Sequence, residues 1–306
     1  MSEHLANPAD APLYPIREVS RLTGVNAVTL RAWERRYALI RPQRTPKGHR
    51  LYARGDIERI ERILQWLNRG VSVSQVGDLL DRPQGADPTP TPSTPAIGDW
   101  AHQRQQLVAA VEALDLAQLD MLFDRSLALY PVDICLAELW QPTIVRLEER
   151  WDGHLGDALQ RHALETFLRT RIGTRLYHAN LAARGPRLLL APLPESGGPL
   201  WSLLFALAGS HAGYHVQLFD GSLPHGELAL SVERLHLAAV MLVSQHAERS
   251  ELIRGQLPRL AMRLPVPLCL AGAVTRIRAA DLEASRVALL GDEPLRAVER
   301  LDALLA

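Results

Sequence analysis

Cysteine is scarce in this chain of 306 residues, which holds two, Cys135 and Cys269. They lie far apart, and neither has a second Cys or His at the spacing that zinc ligands require. The sequence therefore excludes a disulfide framework and a zinc finger. We expect a protein of the reducing cytoplasm, where structural disulfides are rare.

Long apolar runs are also missing. No stretch of about 18 or more uncharged apolar residues occurs, which is the length that a membrane-spanning helix needs. Residues 1–12 lack the basic segment and the following apolar stretch that mark a secretory signal. We therefore expect neither export nor insertion into a membrane.

The sequence motifs of common enzyme classes are absent as well. The chain has no G-x-S-x-G, no H-E-x-x-H, no Walker loop and no Cys–His pair at a credible site. Hydrophobic residues make up 47% of the chain, which is enough for sizeable cores. These features favour a folded protein of two or three domains that is not an enzyme.

Net charge is zero, because 34 Lys and Arg balance 34 Asp and Glu. This average conceals a local excess, since residues 13–82 hold 14 basic and 7 acidic side chains, a net charge of +7. From Arg31 to Arg54, eight basic residues accompany a single acidic one, Glu34. Such clustering predicts salt-dependent binding to phosphates, so this basic segment is the candidate nucleic-acid binder.

Three further segments follow the basic one. Residues 83–98 are rich in Pro and Thr, which predicts an extended linker. Over residues 99–184, apolar residues recur at intervals of three and four, which predicts four helices in an antiparallel bundle. Residues 185–306 alternate strand-sized apolar runs with helix-length segments, which predicts a flavodoxin-like open parallel sheet of five strands between helices. The predicted strands are 187–192, 214–218, 237–244, 266–271 and 287–291.

The basic segment has the pattern of a winged helix-turn-helix. A short helix over Pro15–Leu22, a turn at Gly24 and a second helix over Asn26–Tyr37 have the required spacing. Two prolines and a glycine then interrupt any helix, so Arg44–Tyr52 is predicted to be a hairpin wing. The second helix and the wing bring together the basic and polar side chains Thr29, Arg31, Arg35, Arg36, Arg44, Lys47, His49 and Arg50.

The run TLRAWERRYALIRPQRTPKGHRLYARGDIERI, residues 29–60, resembles the signature of the MerR family of transcription regulators. The resemblance implies a winged helix-turn-helix over residues 13–82 that binds double-stranded promoter DNA, with its second helix in the major groove. By the same resemblance, the residues at DNA-contacting positions are Thr29, Arg31, Trp33, Arg36, Arg44, His49, Arg50 and Tyr52.

Two aromatic residues of this set carry an alternative interpretation. Trp33 and Tyr52 are equally suited to packing in the small core of a winged domain, because large aromatic side chains contribute much of the apolar area of a core. For Trp33, core packing and phosphate contact remain two open alternatives.

The C-terminal part resembles the cobalamin-binding module of the light-responsive and curli-type MerR regulators. That module carries D/E-x-H-x-x-G after the first strand and W-x9-E-H in its helical bundle. Here Glu195 takes the place of the axial histidine, and Arg161 takes the place of the bundle glutamate. The candidate cofactor-binding residues are Trp151, His162, Glu195, Gly198, Ser244 and Gly272.

A carboxylate is a poor substitute for imidazole toward cobalt, so we expect a degenerate module without a bound cofactor that serves sensing and oligomerisation. The alternatives are a genuine cobalamin-dependent regulator, with or without a response to light, and a corrinoid-dependent enzyme. For His162, hydrogen bonding within the bundle is the alternative to a ligand role. The expected partners are promoter DNA, further copies of this chain in a dimer or tetramer, and a signalling protein or small molecule at the C-terminal module.

Overall fold

The computed structural model describes most of the chain, namely residues 12–69, 71, 73–80 and 96–306. The chain divides into two compact units, Met1–Leu139 and Trp140–Ala306. Residues 83–95 of the predicted linker lie outside the described residues, and a helix begins at Ala96. Across the described residues, no helix combines the length and the apolar character that a membrane span requires.

The first unit opens with a winged helix-turn-helix. Its elements are β1 (Tyr14–Pro15), α1 (Ile16–Thr23), α2 (Ala27–Tyr37), β2 (Gln43–Arg44), β3 (Arg50–Tyr52), α3 (Arg54–Asn68) and α4 (Val73–Leu80). Strand β3 pairs antiparallel with both β1 and β2. The hairpin of β2 and β3 is the predicted wing. Strand β1 goes beyond the prediction, because a two-residue strand that ends in proline has no periodicity to read.

Local chemistry fixes the start of α2, the second helix of the motif. The side-chain oxygen of Asn26 accepts a hydrogen bond from the backbone N–H of Thr29 at 2.8 Å, which caps the helix. The turn before it uses Gly24, whose φ of 72° lies in the left-handed region that favours glycine. On the inner face of α2, Leu30 and Trp33 are wholly buried. The predicted helix and turn are both present.

Two further long helices and a short one follow in the first unit. They are α5 (Ala96–Glu112) and α6 (Leu116–Leu129), followed by the short α7 (Val132–Cys135). Asp115 caps α6, because its carboxylate accepts a hydrogen bond from the N–H of Gln118 at 2.9 Å. The division between the two units falls after Leu139, inside the predicted four-helix bundle, and that bundle stays a prediction.

The second unit carries two helices and then an alternating α/β fold. Its elements are α8 (Gln141–Arg150), α9 (Asp157–Ala182), β4 (Arg187–Pro192), α10 (Leu200–His211), β5 (His215–Leu218), α11 (His225–Leu235), β6 (Ala239–Val243), a π-helical turn (Leu252–Gln256), α12 (Leu257–Arg263), β7 (Leu268–Ala271), α13 (Val274–Ile277), α14 (Ala279–Leu282), β8 (Ala288–Gly291) and α15 (Pro294–Leu305). The strands are all parallel, in the order β5-β4-β6-β7-β8. This flavodoxin-like order confirms the predicted fold class, and each predicted strand ends within two residues of the observed one.

Side chains alternate between the two faces of the sheet along each strand, so apolar residues lie on both faces. Helices cover both faces and bury them. Leu189 and Val240 belong to a core cluster that contains residues of α11 and α12. On the opposite face, Leu188 and Val216 lie against Gly209 of α10. In open sheets of this kind, ligands bind outside the carboxyl ends of the strands, which is where the candidate cofactor region lies.

Candidate functional site

The outward face of α2 is cationic. Arg31, Arg35 and Arg36 are all exposed. Arg31 and Arg35 stand four residues apart and therefore share one face of the helix. The inner face is occupied by the buried Thr29, Leu30 and Trp33, so the cations point away from the core. These three predicted residues lie where a nucleic acid can reach them.

The wing adds exposed cations at its tip. The backbone N–H of Gly48 donates to the carbonyl of Thr45 at 2.8 Å, and Pro46 takes the second position of this turn, where its fixed φ fits. The Thr45 hydroxyl also accepts a hydrogen bond from the N–H of His49 at 3.0 Å. Lys47 and His49 are exposed as a result, in agreement with their predicted place on the wing.

Glu34 joins the wing to α2. Its carboxylate accepts a hydrogen bond from Nη2 of Arg44 at 2.7 Å, and its other oxygen accepts one from Nε of Arg50. Side-chain exposure is 15% for Glu34 and 12% for Arg50, but 53% for Arg44. We call these three residues the Glu34 clasp. Glu34 is a site residue that the sequence motifs did not predict, although its place as the single acid among eight basic residues was an available signal.

The clasp favours the ionised forms of its members. Burial opposes ionisation of Glu34, but the hydrogen bonds from Arg50 and Arg44 outweigh it and hold the pKa of Glu34 below its ordinary value. The hydrogen bond to Glu34 raises the pKa of the Arg50 guanidinium in turn. The three residues together carry one net positive charge.

Three predicted DNA contacts face the core instead. The side chains of Thr29, Trp33 and Tyr52 are wholly buried, so they cannot touch a duplex in this fold. The indole N–H of Trp33 donates to the carbonyl of Leu129 in α6 at 2.9 Å. Burial raises the pKa of Tyr52 to about 12, which keeps its phenol neutral. For both aromatic residues, core packing is therefore the alternative that the structure favours.

In the second unit, four of the predicted cofactor-binding residues follow the strands. Glu195 and Gly198 come after β4, Ser244 directly follows β6, and Gly272 directly follows β7. Because the strands are parallel, all four lie at the same edge of the sheet. Gly272 has a φ of 93°, and a Cβ there would lie 2.3 Å from the Ser244 carbonyl oxygen. Only glycine fits this close approach of two loops.

A buried carboxylate organises this edge. Glu248 accepts hydrogen bonds from the Ser244 hydroxyl at 2.8 Å and from the backbone N–H of Glu195 at 3.2 Å. Burial raises the pKa of Glu248, and the hydrogen bond from Ser244 counteracts that rise. The Glu195 carboxylate itself is about half exposed and pairs with Arg249 at 3.0 Å. Glu195 is therefore held in a surface ion pair.

Helix α9 meets the loop after β4 directly. A guanidinium nitrogen of Arg161 donates to the carbonyl of Gly197. Gly198 has a φ of 112°, and a Cβ there would lie 2.6 Å from Oε1 of Glu165. Burial raises the pKa of Glu165, while the nearby Arg161 opposes that shift. Side chains of α9 thus occupy the space immediately beside the glycine pair.

The predicted bundle motif is present with changed partners. The indole N–H of Trp151 donates to the side-chain oxygen of Gln160 at 3.0 Å, and the Arg161 guanidinium lies 5.2 Å from the Trp151 ring centroid. The exposed His162 lies 2.6 Å, through its Nδ1, from the carbonyl oxygen of Ala158. This contact within one helix agrees with the alternative in which His162 is satisfied locally.

These residues do not suit the axial ligation of a corrinoid. The position of the axial histidine holds Glu195, a hard oxygen donor engaged with Arg249. At the bundle position, Arg161 binds the Gly197 carbonyl and lies 3.3 Å from the Glu148 carboxylate. Glu148 also accepts a hydrogen bond from the Trp201 indole at 2.9 Å. At these two positions the chain therefore presents a carboxylate and a guanidinium, and neither replaces an imidazole as a ligand to cobalt.

Comparisons with known proteins agree with the geometry of the first unit. The model of the MerR HTH family regulatory proteins matches residues 14–82. The chain is similar to the HTH-type transcriptional repressor CarH of Myxococcus xanthus, with 28% identity over 282 residues, which cover 88% of this chain and 92% of that protein. It is also similar to the HTH-type transcriptional regulator MlrA of Escherichia coli, with 37% identity over 136 residues, which cover 44% of this chain and 52% of that protein. Both relatives are named as transcription regulators.

Proposed function

We propose that this chain, a transcription regulator of the MerR family, binds its promoter through the exposed cations of α2 and of the wing tip. The observation that carries the proposal is the exposure of Arg31 and Arg35 on one face of α2, with Lys47 exposed on the wing. Domains of this type place a helix in the major groove and use flanking cations on the phosphates.

The experiment selects a duplex from a randomised pool with the full chain and measures binding isotherms on it. Arg31→Ala is expected to weaken binding by about 1–3 kcal/mol, because it removes a cation from the helix that meets the bases. Arg263→Ala, which removes an exposed arginine from α12 in the second unit, is the matched control and is expected to leave the affinity unchanged. Recovery of no preferred sequence, or equal effects of the two substitutions, would contradict the proposal.

We further propose that the second unit receives a signal and forms the oligomer. A cleft of about 350 Å³ supports binding of a small molecule, since ligand pockets begin at about this size. Its lining includes the apolar Leu193 and Leu242 and the polar His225 and Arg249. Native mass spectrometry of the purified full chain tests both parts, because it reports the number of subunits and any small molecule retained. Detection of a monomer without any retained small molecule would contradict both parts of this proposal.

Cobalamin dependence is the alternative for this unit. Glu195 and Arg161 stand where the resembled module has histidine and glutamate, and both are engaged in contacts with the protein. The full chain purified from cobalamin-fed cells is therefore expected to be colourless and to release no corrinoid. Visible absorbance with a stoichiometric corrinoid in the mass spectrum would establish the alternative.

A further inference from the structure

Glu34 is an unexpected residue on a surface that meets phosphates. It is the single acidic side chain from Arg31 to Arg54, and it lies on the recognition helix α2. Coulomb repulsion between a carboxylate and phosphates weakens association with DNA. Attraction to phosphates therefore gives no reason for an acid at this position.

The wing contains a charge conflict that Glu34 relieves. Arg44 and Arg50 are direct partners across the hairpin of β2 and β3. Like charges placed opposite each other in an antiparallel pair are destabilising. The two carboxylate oxygens of Glu34 accept one hydrogen bond each, from Arg44 and from Arg50, so a single acid offsets half of the pair's charge and ties both strands of the wing to α2.

We propose that Glu34 is a positioning residue, which fixes the wing against the recognition helix, and that Arg50 serves DNA binding through this clasp instead of through a phosphate contact. Arg50 is 12% exposed, whereas Arg44 is 53% exposed and keeps a free side for a phosphate. The arrangement sets the spacing between the cations of the wing and those of α2. This inference rests on the proposed binding to DNA.

For Glu34→Gln, a positioning role and simple electrostatics predict opposite changes in the affinity for DNA. Glu34→Gln removes a negative charge near the phosphates, which by Coulomb attraction alone tightens binding. If Glu34 positions the wing, the same substitution weakens binding, because the freed wing has to be ordered on the duplex and its two arginines repel each other. The sign of the change therefore separates the two explanations.

The test measures binding isotherms of the full chain on the duplex that the unmodified chain selects from a randomised pool. Glu34→Gln is expected to weaken binding by about tenfold, within the range of coupled neighbouring groups. Glu34→Asp keeps the charge but is too short to reach both guanidinium groups, so it is also expected to weaken binding. Glu61→Gln removes the same charge from an exposed position on α3 and is expected to change affinity by less than about twofold.

A double-mutant cycle separates positioning from general loss of structure. The effects of Glu34→Gln and Arg44→Gln are expected to be non-additive, because the two side chains share a hydrogen bond. Equal or tighter binding by Glu34→Gln, or additivity with Arg44→Gln, overturns the proposal. Should Glu34→Gln fail to fold, Glu34→Asp decides, since unchanged affinity in that variant overturns it as well. Failure of the unmodified chain to select any sequence refutes the proposed function instead.

Discussion

Substitution of Trp33 gives the sharpest test of how α2 of the DNA-binding domain is attached to α6. Its side chain is wholly buried, and its indole N–H donates to the Leu129 carbonyl of α6 at 2.9 Å. Trp33→Phe keeps most of the apolar surface but deletes the donor, so the Leu129 carbonyl loses its partner. Leaving a buried carbonyl unsatisfied costs about 1–3 kcal/mol, and we expect that loss in the stability of the first unit.

Hydrogen exchange followed by mass spectrometry measures this loss locally. Exchange of the α2 and α6 amides is expected to accelerate by about tenfold for each 1.4 kcal/mol lost, while affinity for the selected duplex changes little. Trp66→Phe is the control, because Trp66 is only partly buried and contacts Arg69, whose guanidinium lies 5.1 Å from its ring centroid. Unchanged exchange combined with lower DNA affinity would show that the Trp33 indole does not stabilise this core and would assign it to a phosphate contact.

Three further predictions concern the loops and the clasp. Gly198→Ala is expected to destabilise the second unit by about 1–3 kcal/mol, because its φ of 112° and the Glu165 carboxylate leave no room for a Cβ; an unchanged melting temperature would contradict this. Ser244→Ala is expected to lower the free energy of unfolding by about 1–3 kcal/mol, because it removes a hydrogen-bond donor from the buried Glu248. Denaturant unfolding measures this loss, with Ser285→Ala, which changes a more exposed serine, as the control. The pKa of Glu34 is lowered in the folded state, so ionised Glu34 stabilises the fold. This contribution to stability is complete above the ordinary pKa of 4.5 and is lost as the pH falls through the lowered pKa. A Glu34→Gln chain is expected to lack this component of acid unfolding.

Much of the fold could be predicted because its signals are local. The strand-sized apolar runs between helix-length segments specify the alternating α/β unit, and strands buried on both faces need no side-chain alternation to be recognised. Gly24 and the prolines of the wing mark turns by their backbone preferences. The two-residue strand at Tyr14–Pro15 carries no such signal, and the division of the chain at Leu139 depends on contacts that no local pattern reports.

The candidate sites were harder to predict because they depend on which partner a side chain finds. A cluster of basic residues predicts a cationic surface, but only the fold shows that Arg50 forms an ion pair with Glu34 while Lys47 is exposed. Thr29 and Tyr52 have polar groups suited to a duplex, yet both are wholly buried. Pattern matching treats each residue singly, whereas burial and ion pairing are properties of pairs and neighbours.

We propose that α2 and the wing together form a cationic surface that binds double-stranded DNA at a specific sequence. The most direct measurement is the affinity for the selected duplex over a range of salt, with a scrambled duplex of the same composition as competitor. Sequence-specific binding through these cations is expected to give a clear preference for the selected sequence and a linear fall of log Kobs with log salt, with a slope of about −0.9 for each phosphate neutralised. Equal affinity for both duplexes at moderate salt would contradict it.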